Sequence, residues 1–301
     1  MFVRLGQIGL SGAAVAVGVL GVRVASAQDL GAPPPEAAKV AAGPEKVKDA
    51  LKIDKKPEGI NASLSAGGLS STGNSEMVAF TGSGLFESRF GDNGYGASLV
   101  GNYGRSSPPE GGDMETTTQN LQGRLRYDRY VIDDASVFLL LTGRHDKFQG
   151  LTFRLNVDPG FKYLFVNQPA TQFWAEAGYD FQYDVRNLSG RRILDDAGMD
   201  TGELLDKTET DHSARLYVGF RHSFNEATAL STGVEYLQSF VESERWRLNY
   251  DALFTAKFWG NLALGVGFLA RYDHAPLPSK EELDTTSTLS IIYSYSTMAD
   301  K

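Results

Sequence analysis

The chain has 301 residues, 42% of them hydrophobic, with 29 basic against 37 acidic side chains, a formal net charge of −8 and a mean hydropathy of −0.25. That acidic balance argues against nucleic-acid binding, which needs a basic footprint. The absence of cysteine excludes thiol catalysis, disulfides and cysteine-based metal sites. No internal run approaches the roughly 18 apolar residues of a membrane helix. A β-barrel escapes that test, because every second residue of its strands faces the lumen and can be polar.

In chain order, residues 1–27 read as a signal peptide. Arg4 supplies a positive start, Leu5 to Val22 is apolar and small, and Ala25-Ser26-Ala27 is a small-x-small cleavage site. Cleavage before Gln28 would remove Arg4 and Arg23 and take the formal charge from −8 to −10. Residues 28–59, with Pro33-Pro34-Pro35, scattered alanines and balanced charges, cannot bury a core and are expected to form a disordered periplasmic leader. A short helix over 45–53 is conceivable there, with Val47 and Leu51 on one face.

Twelve strands are expected next: 60–70, 77–90, 94–105, 116–130, 134–144, 152–166, 171–185, 212–223, 226–238, 244–258, 261–273 and 284–296; ten remain possible if the second and third pair differently. The pattern is cleanest late in the chain. Trp246, Leu248, Tyr250, Ala252, Phe254, Ala256 and Phe258 share one face, and Arg245, Arg247, Asn249, Asp251, Thr255 and Lys257 the other. Period two at this length, with charge on one side only, means that one face meets apolar material. Such strands reach the nine to eleven residues needed to cross a bilayer at a tilt.

The connections alternate between short turns (Gly91-Asp92-Asn93, Ile132-Asp133, Asn167 to Ala170, around Asn225, Trp259-Gly260-Asn261) and longer pieces at 106–115, 145–151, 186–211, 239–243 and 274–283. Short periplasmic turns and long outer loops are the habit of an all-β, antiparallel up-and-down transmembrane barrel. An even strand count puts both ends of the barrel, 60 to 301, on the short-turn side.

Three stretches carry a family resemblance: Leu69 to Ser75 (LSSTGNS), Arg144 to Arg154 running on to Asp158-Pro159-Gly160-Phe161, and Arg271 to Pro278 leading to Asp284-Thr285. On these the chain resembles the YdiY-like, salt-induced outer membrane proteins, a family of unknown function. The resemblance spans about Gly59 to Tyr295. It implies a barrel in the outer membrane of a Gram-negative cell and a link to salt stress, and it implies no catalytic residues. The chain departs from many barrels by continuing past its last aromatic, from Met298 to Lys301, where the barrel assembly machinery reads a terminal signal.

Several groups are candidates for chemistry. The inward face carries Arg124, Arg126, Asp128, Glu176, Asp180, Asp184, Arg215, Arg221, Glu235, Arg245, Arg247, Asp251, Lys257, Arg271 and Asp273. With neither sign dominant, a salt-bridged plug is favoured over an ion filter. A second group lies at the outer rim: Arg144, His145, Asp146 and Arg154 around one loop, Asp273 and His274 around another. Two His-Asp neighbourhoods suggest a general base or a metal, but adjacent strand residues point to opposite faces, so Asp146 cannot orient His145 without a bend. Loop-pinning hydrogen bonds are the plainer reading. A lipid hydrolase would need His and Ser on one face, whereas His212-Ser213 and His222-Ser223 are adjacent and split across the sheet. The acidic loop with Asp195, Asp196, Asp200, Glu203, Asp206, Glu209 and Asp211 matches no EF-hand spacing and suggests ion-mediated contact with lipopolysaccharide. The expectation is a monomeric or weakly associating, non-enzymatic barrel without a cofactor, contacting outer-membrane lipids and lipopolysaccharide and serving as a narrow pore or envelope-stabilising protein. The alternatives are a receptor barrel that binds through the acidic loop and a lipid hydrolase.

Overall fold

The computed structural model describes residues 58–71, 77–107, 113–168, 170–194, 199–277 and 281–297. The expected signal peptide, the leader up to residue 57 and Met298 to Lys301 lie outside them. The strands are β1 (Gly59–Ser71), β2 (Met77–Phe90), β3 (Asn93–Ser106), β4 (Glu115–Ile132), β5 (Ala135–Asp146), β6 (Leu151–Gln168), β7 (Thr171–Arg186), β8 (Arg192–Leu194), β9 (Asp200–Leu204), β10 (Thr208–Ser223), β11 (Thr228–Ser239), β12 (Trp246–Trp259), β13 (Leu262–Asp273) and β14 (Leu283–Ser296). Twelve of them close into one antiparallel barrel in the order β1-β14-β13-β12-β11-β10-β7-β6-β5-β4-β3-β2, and β8 pairs with β9 outside it. This is the twelve-strand alternative, with every expected strand in place.

The faces are inverted relative to a water-soluble protein. Along β4, Leu125 is 59% exposed while the Arg126 side chain beside it is only 9% exposed. Outward positions carry Leu64, Phe80, Leu99, Tyr127, Leu216, Phe254 and Ile291, all exposed, and inward positions carry Asp146, Glu176, Asp180, Asp184 and Asp251, all buried. An apolar outer belt around a polar interior, with every barrel strand paired on both sides, is the arrangement that bilayer burial of a backbone requires. The protein is a transmembrane barrel of the outer-membrane type.

Four connections at one end are two residues long, at 91–92, 133–134, 169–170 and 260–261. Gly91 (φ 56°) and Gly260 (φ 51°) supply the positive φ that tight hairpin turns need. Both described chain ends lie at this same end, the one that the sequence pattern leads one to expect on the periplasmic side. The opposite end carries the connections at 107–114, 187–207, 240–245 and 274–282. Two expectations change here. The connection expected over 145–151 shrinks to 147–150, because β5 and β6 pair as far as Asp146↔Leu151. The stretch expected as a loop over 186–211 contains the β8–β9 hairpin, and Glu209 and Asp211 belong to β10.

Candidate functional site

The lumen is built in layers. In the half nearer the two-residue turns, aromatic side chains lean over glycines of the next strand: Phe138 of β5 over Gly160, Trp174 of β7 over Gly219 and Tyr217 of β10 over Gly233. A Cβ added at Gly160 would stand 2.5 Å from the Phe138 ring, so these positions admit no side chain. Lys162 Nζ lies 4.8 Å from the Trp174 ring, and the Arg126 guanidinium 4.2 Å from that of Phe138, cations placed against ring faces.

Above this layer a chain of charges bridges the interior. Arg126 of β4 reaches past two strands to pair with Glu176 of β7 at 3.0 Å, and grips Asp128 through two bonds of 2.8 and 2.9 Å. Ser136 donates to Asp128 at 3.1 Å. On the other side of Glu176, Arg215 of β10 donates at 3.0 Å and then to Glu235 of β11 at 2.7 Å. Asn249 of β12 donates to the second Glu235 oxygen at 2.8 Å. Arg126, Glu176, Arg215, Glu235 and Asn249 thus form one continuous polar bridge across the lumen.

Toward the outside, Arg154 holds Asp184 through bonds of 2.7 and 2.6 Å. Arg247 donates to Gln182 at 2.8 Å and stands 3.8 Å from Asp180, which accepts from Asn156 at 2.7 Å. Arg124 is served by the Gln122 amide oxygen at 3.1 Å once that amide is turned to face it. Asp251 and Arg271 line the same space, a cavity of about 190 Å³ that runs from the polar bridge to the outer mouth, where Asp273, Glu281, Glu282 and Asp284 stand. At the rim, Glu209 takes both Arg186 and Arg245, the latter at 2.8 Å. Burial disfavours the Arg245 charge, but Glu209 outweighs it and raises its pKa above the ordinary guanidinium value.

The rim residues separate into two groups. Arg144, Asp146, Arg154 and Asp273 face the lumen. His145 points outward, its Nδ1 2.8 Å from the Thr152 carbonyl, and His274 stacks on Trp246 at 5.1 Å between ring centres. Neither histidine is brought to a carboxylate of the group. Asp146 instead pairs with Arg144 at 2.8 Å and accepts the backbone N–H groups of Phe148 and Gln149, pinning the 147–150 turn. His212 and His222 also face outward, against Tyr179 and Thr171, while Ser213 is buried inside. Among the described residues, no group of three or more His, Cys, Asp or Glu side chains is arranged to hold a metal ion. In the acidic loop, Asp200 pairs with Arg192 at 3.5 Å, and Asp211 accepts from Ser213 and Ser239 inside the lumen. Asp195 and Asp196 lie outside the described residues.

Sequence reasoning missed Phe138, Trp174 and Tyr217, large rings on the charged face of their strands. Their signal was present: each breaks the alternation that puts aromatics on the apolar side. It also missed Gln149, whose importance comes from the turn that Asp146 folds.

No curated protein matches the chain significantly. Solved barrels similar to it include the NanC porin (11% identical, TM-score 0.46, covering 77% of this chain and 98% of that one). Others are an outer membrane channel from Pseudomonas putida F1 (10%, 0.44, 82% and 98%) and the translocator domain of the autotransporter NalP from Neisseria meningitidis (13%, 0.41, 83% and 92%). Residues 64–295, nearly the whole barrel, match the family described as protein of unknown function, DUF481, and the chain belongs to that family.

Proposed function

We propose that the barrel resides in the outer membrane of a Gram-negative cell, exported by a cleaved signal peptide and inserted by the barrel assembly machinery, and that it is a narrow pathway for small hydrophilic solutes. Its outer loops meet lipopolysaccharide, it carries out no catalysis, and its physiological setting is salt or osmotic stress, as the family resemblance implies. One observation carries the reading: the interior is hydrophilic and charged, with a cavity open toward the outer mouth. A barrel that served only as a wall would be filled more cheaply by apolar side chains, since buried ion pairs are often less stabilising than packed hydrophobic residues. The polar bridge through Arg126, Glu176 and Arg215 is the constriction of this pathway and keeps its conductance small.

The bridge also favours a second reading, an envelope-stabilising protein that never opens. Planar-bilayer recording with purified, refolded protein separates the two. The pathway predicts small, stable current steps. Silence from protein whose heat-modifiable gel migration shows a closed barrel overturns the pathway in favour of the stabilising role.

A further inference from the structure

In the outer half of the cavity Arg144 of β5 and Arg154 of β6 stand on one side, paired with Asp146 and Asp184; β13 and β14, half a barrel away in the strand order, carry Arg271, Asp273 and Asp284 on the other. The Gln149 amide stretches between the two sides. Its Oε1 accepts from Arg144 at 3.1 Å, and its Nε2 donates to Asp284 at 3.1 Å. The polarity is forced, because a guanidinium can only donate and an ionised carboxylate can only accept. Gln149 comes from the 147–150 turn, which Asp146 folds back over the mouth. The chain therefore holds, at the entrance of its cavity, an acceptor oxygen and a donor nitrogen close together, the oxygen on a guanidinium that Asp146 shares and the nitrogen on a carboxylate whose ladder partner is Arg271.

We propose that this entrance is a binding site for small zwitterionic solutes of the α-amino-acid type, and that the Gln149 amide is their internal stand-in. The solute carboxylate takes the place of the amide oxygen against Arg144, and its ammonium takes the place of the amide nitrogen against Asp284. Both new bonds join ionised partners on both sides, and charge-assisted hydrogen bonds are roughly twice as strong as those between neutral groups. A simple anion would satisfy Arg144 but face the Asp284 carboxylate, and a simple cation would meet the reverse. An uncharged solute would gain no more than the amide already supplies. The cavity is small, about 190 Å³ over its whole depth, which favours small solutes such as glycine, alanine or serine. The inference rests on the proposed pathway only in that the mouth is open to outside water.

The test is titration calorimetry on full-length, refolded protein in detergent, with L-alanine as the probe. Acetate and ethylamine serve as single-charge controls, and glycine betaine as a zwitterion without N–H donors. Saturable binding of alanine is expected, with none of acetate or ethylamine and much weaker binding of betaine. Gln149→Ala removes the internal competitor and should tighten alanine binding by about tenfold, equivalent to about 1.4 kcal/mol. Arg144→Gln and Asp284→Asn should each weaken it by about tenfold or more; Asp284→Asn keeps the test decisive if the arginine variant does not fold. No binding by either wild type or Gln149→Ala, equal binding of acetate, or unchanged affinity in both pole variants would overturn the site. Liposome swelling with alanine is read separately. Binding without swelling overturns the pathway and leaves the site standing, whereas swelling without saturable binding overturns the site.

Discussion

Glu176 joins the two arginines at the middle of the polar bridge. Its side chain is 1% exposed and lies between two guanidinium groups, Arg126 and Arg215, each at 3.0 Å. Phe138 lies beneath both, 4.2 and 5.9 Å from them, so both guanidinium groups are set against one ring. Replacing Glu176 with glutamine keeps the shape but leaves Arg126 to Asp128 and Arg215 to Glu235. Hydrogen bonds to charged groups are worth about 1.5–3 kcal/mol. Glu176→Gln is therefore expected to lower stability by about 2 kcal/mol, measured as an earlier midpoint for urea unfolding from lipid vesicles. A midpoint unchanged from wild type would mean that lumen water, not Glu176, solvates the two arginines.

At the scale of elements, the hairpin β8–β9 stands apart. Every residue of β9 is exposed, and the hairpin pairs with no barrel strand. Its base is closed by Leu205 donating to the Arg191 carbonyl at 2.7 Å, and the turn before it is tied to the barrel through Asn187 donating to the Gly150 carbonyl at 2.8 Å. Excising residues 192–204 and joining Arg191 to Leu205 removes the hairpin and replaces the hydrogen bond at its base by a peptide bond between residues that already lie side by side. Changes that disturb no buried contact stay within about 0.5 kcal/mol, so the shortened protein should fold with unchanged heat-modifiable migration. Loss of the folded band would show instead that the hairpin is needed for assembly. The same contrast explains what was legible in the sequence. The strands of the barrel were visible because each repeats an apolar residue every second position for longer than a soluble strand does, as in Trp246 to Phe258. The hairpin was hidden because its strands, RIL and DTGEL, are short and bury no face. Which lumen residues would meet was also hidden. Arg126 and Glu176 are fifty positions apart and touch only because closure curves three strand pairings, β4–β5, β5–β6 and β6–β7, into one wall.

For the molecule as a whole, stability depends on one seam. A sheet in a membrane survives only if it has no free edge, since unpaired backbone groups in hydrocarbon each cost several kcal/mol. That edge is removed where β1 meets β14, and there the described ladder runs only from Asn61↔Ser296 to Gly67↔Ser290. On its other side, β1 pairs with β2 all the way from Gly59↔Arg89 to Ser71↔Met77. The seam is thus the shorter of the two ladders and joins the two ends of the chain, so it is expected to part first on unfolding. Ser63 and Ser294 are direct partners across it, both buried in the lumen, and the chain has no cysteine to interfere. The double variant Ser63→Cys, Ser294→Cys places two thiols on strands whose opposed positions lie about 4.5–5.5 Å apart between Cα atoms, within the range that a disulfide spans. Once oxidised, the bond turns the seam into a covalent ring and restricts the unfolded chain through a very long loop. A stabilisation of about 2–4 kcal/mol is expected, seen as a higher temperature for the shift between folded and unfolded gel bands under non-reducing conditions and lost on adding reductant. If the oxidised and reduced proteins shift together, unfolding begins at another strand pair and the seam is not the weak point of the barrel.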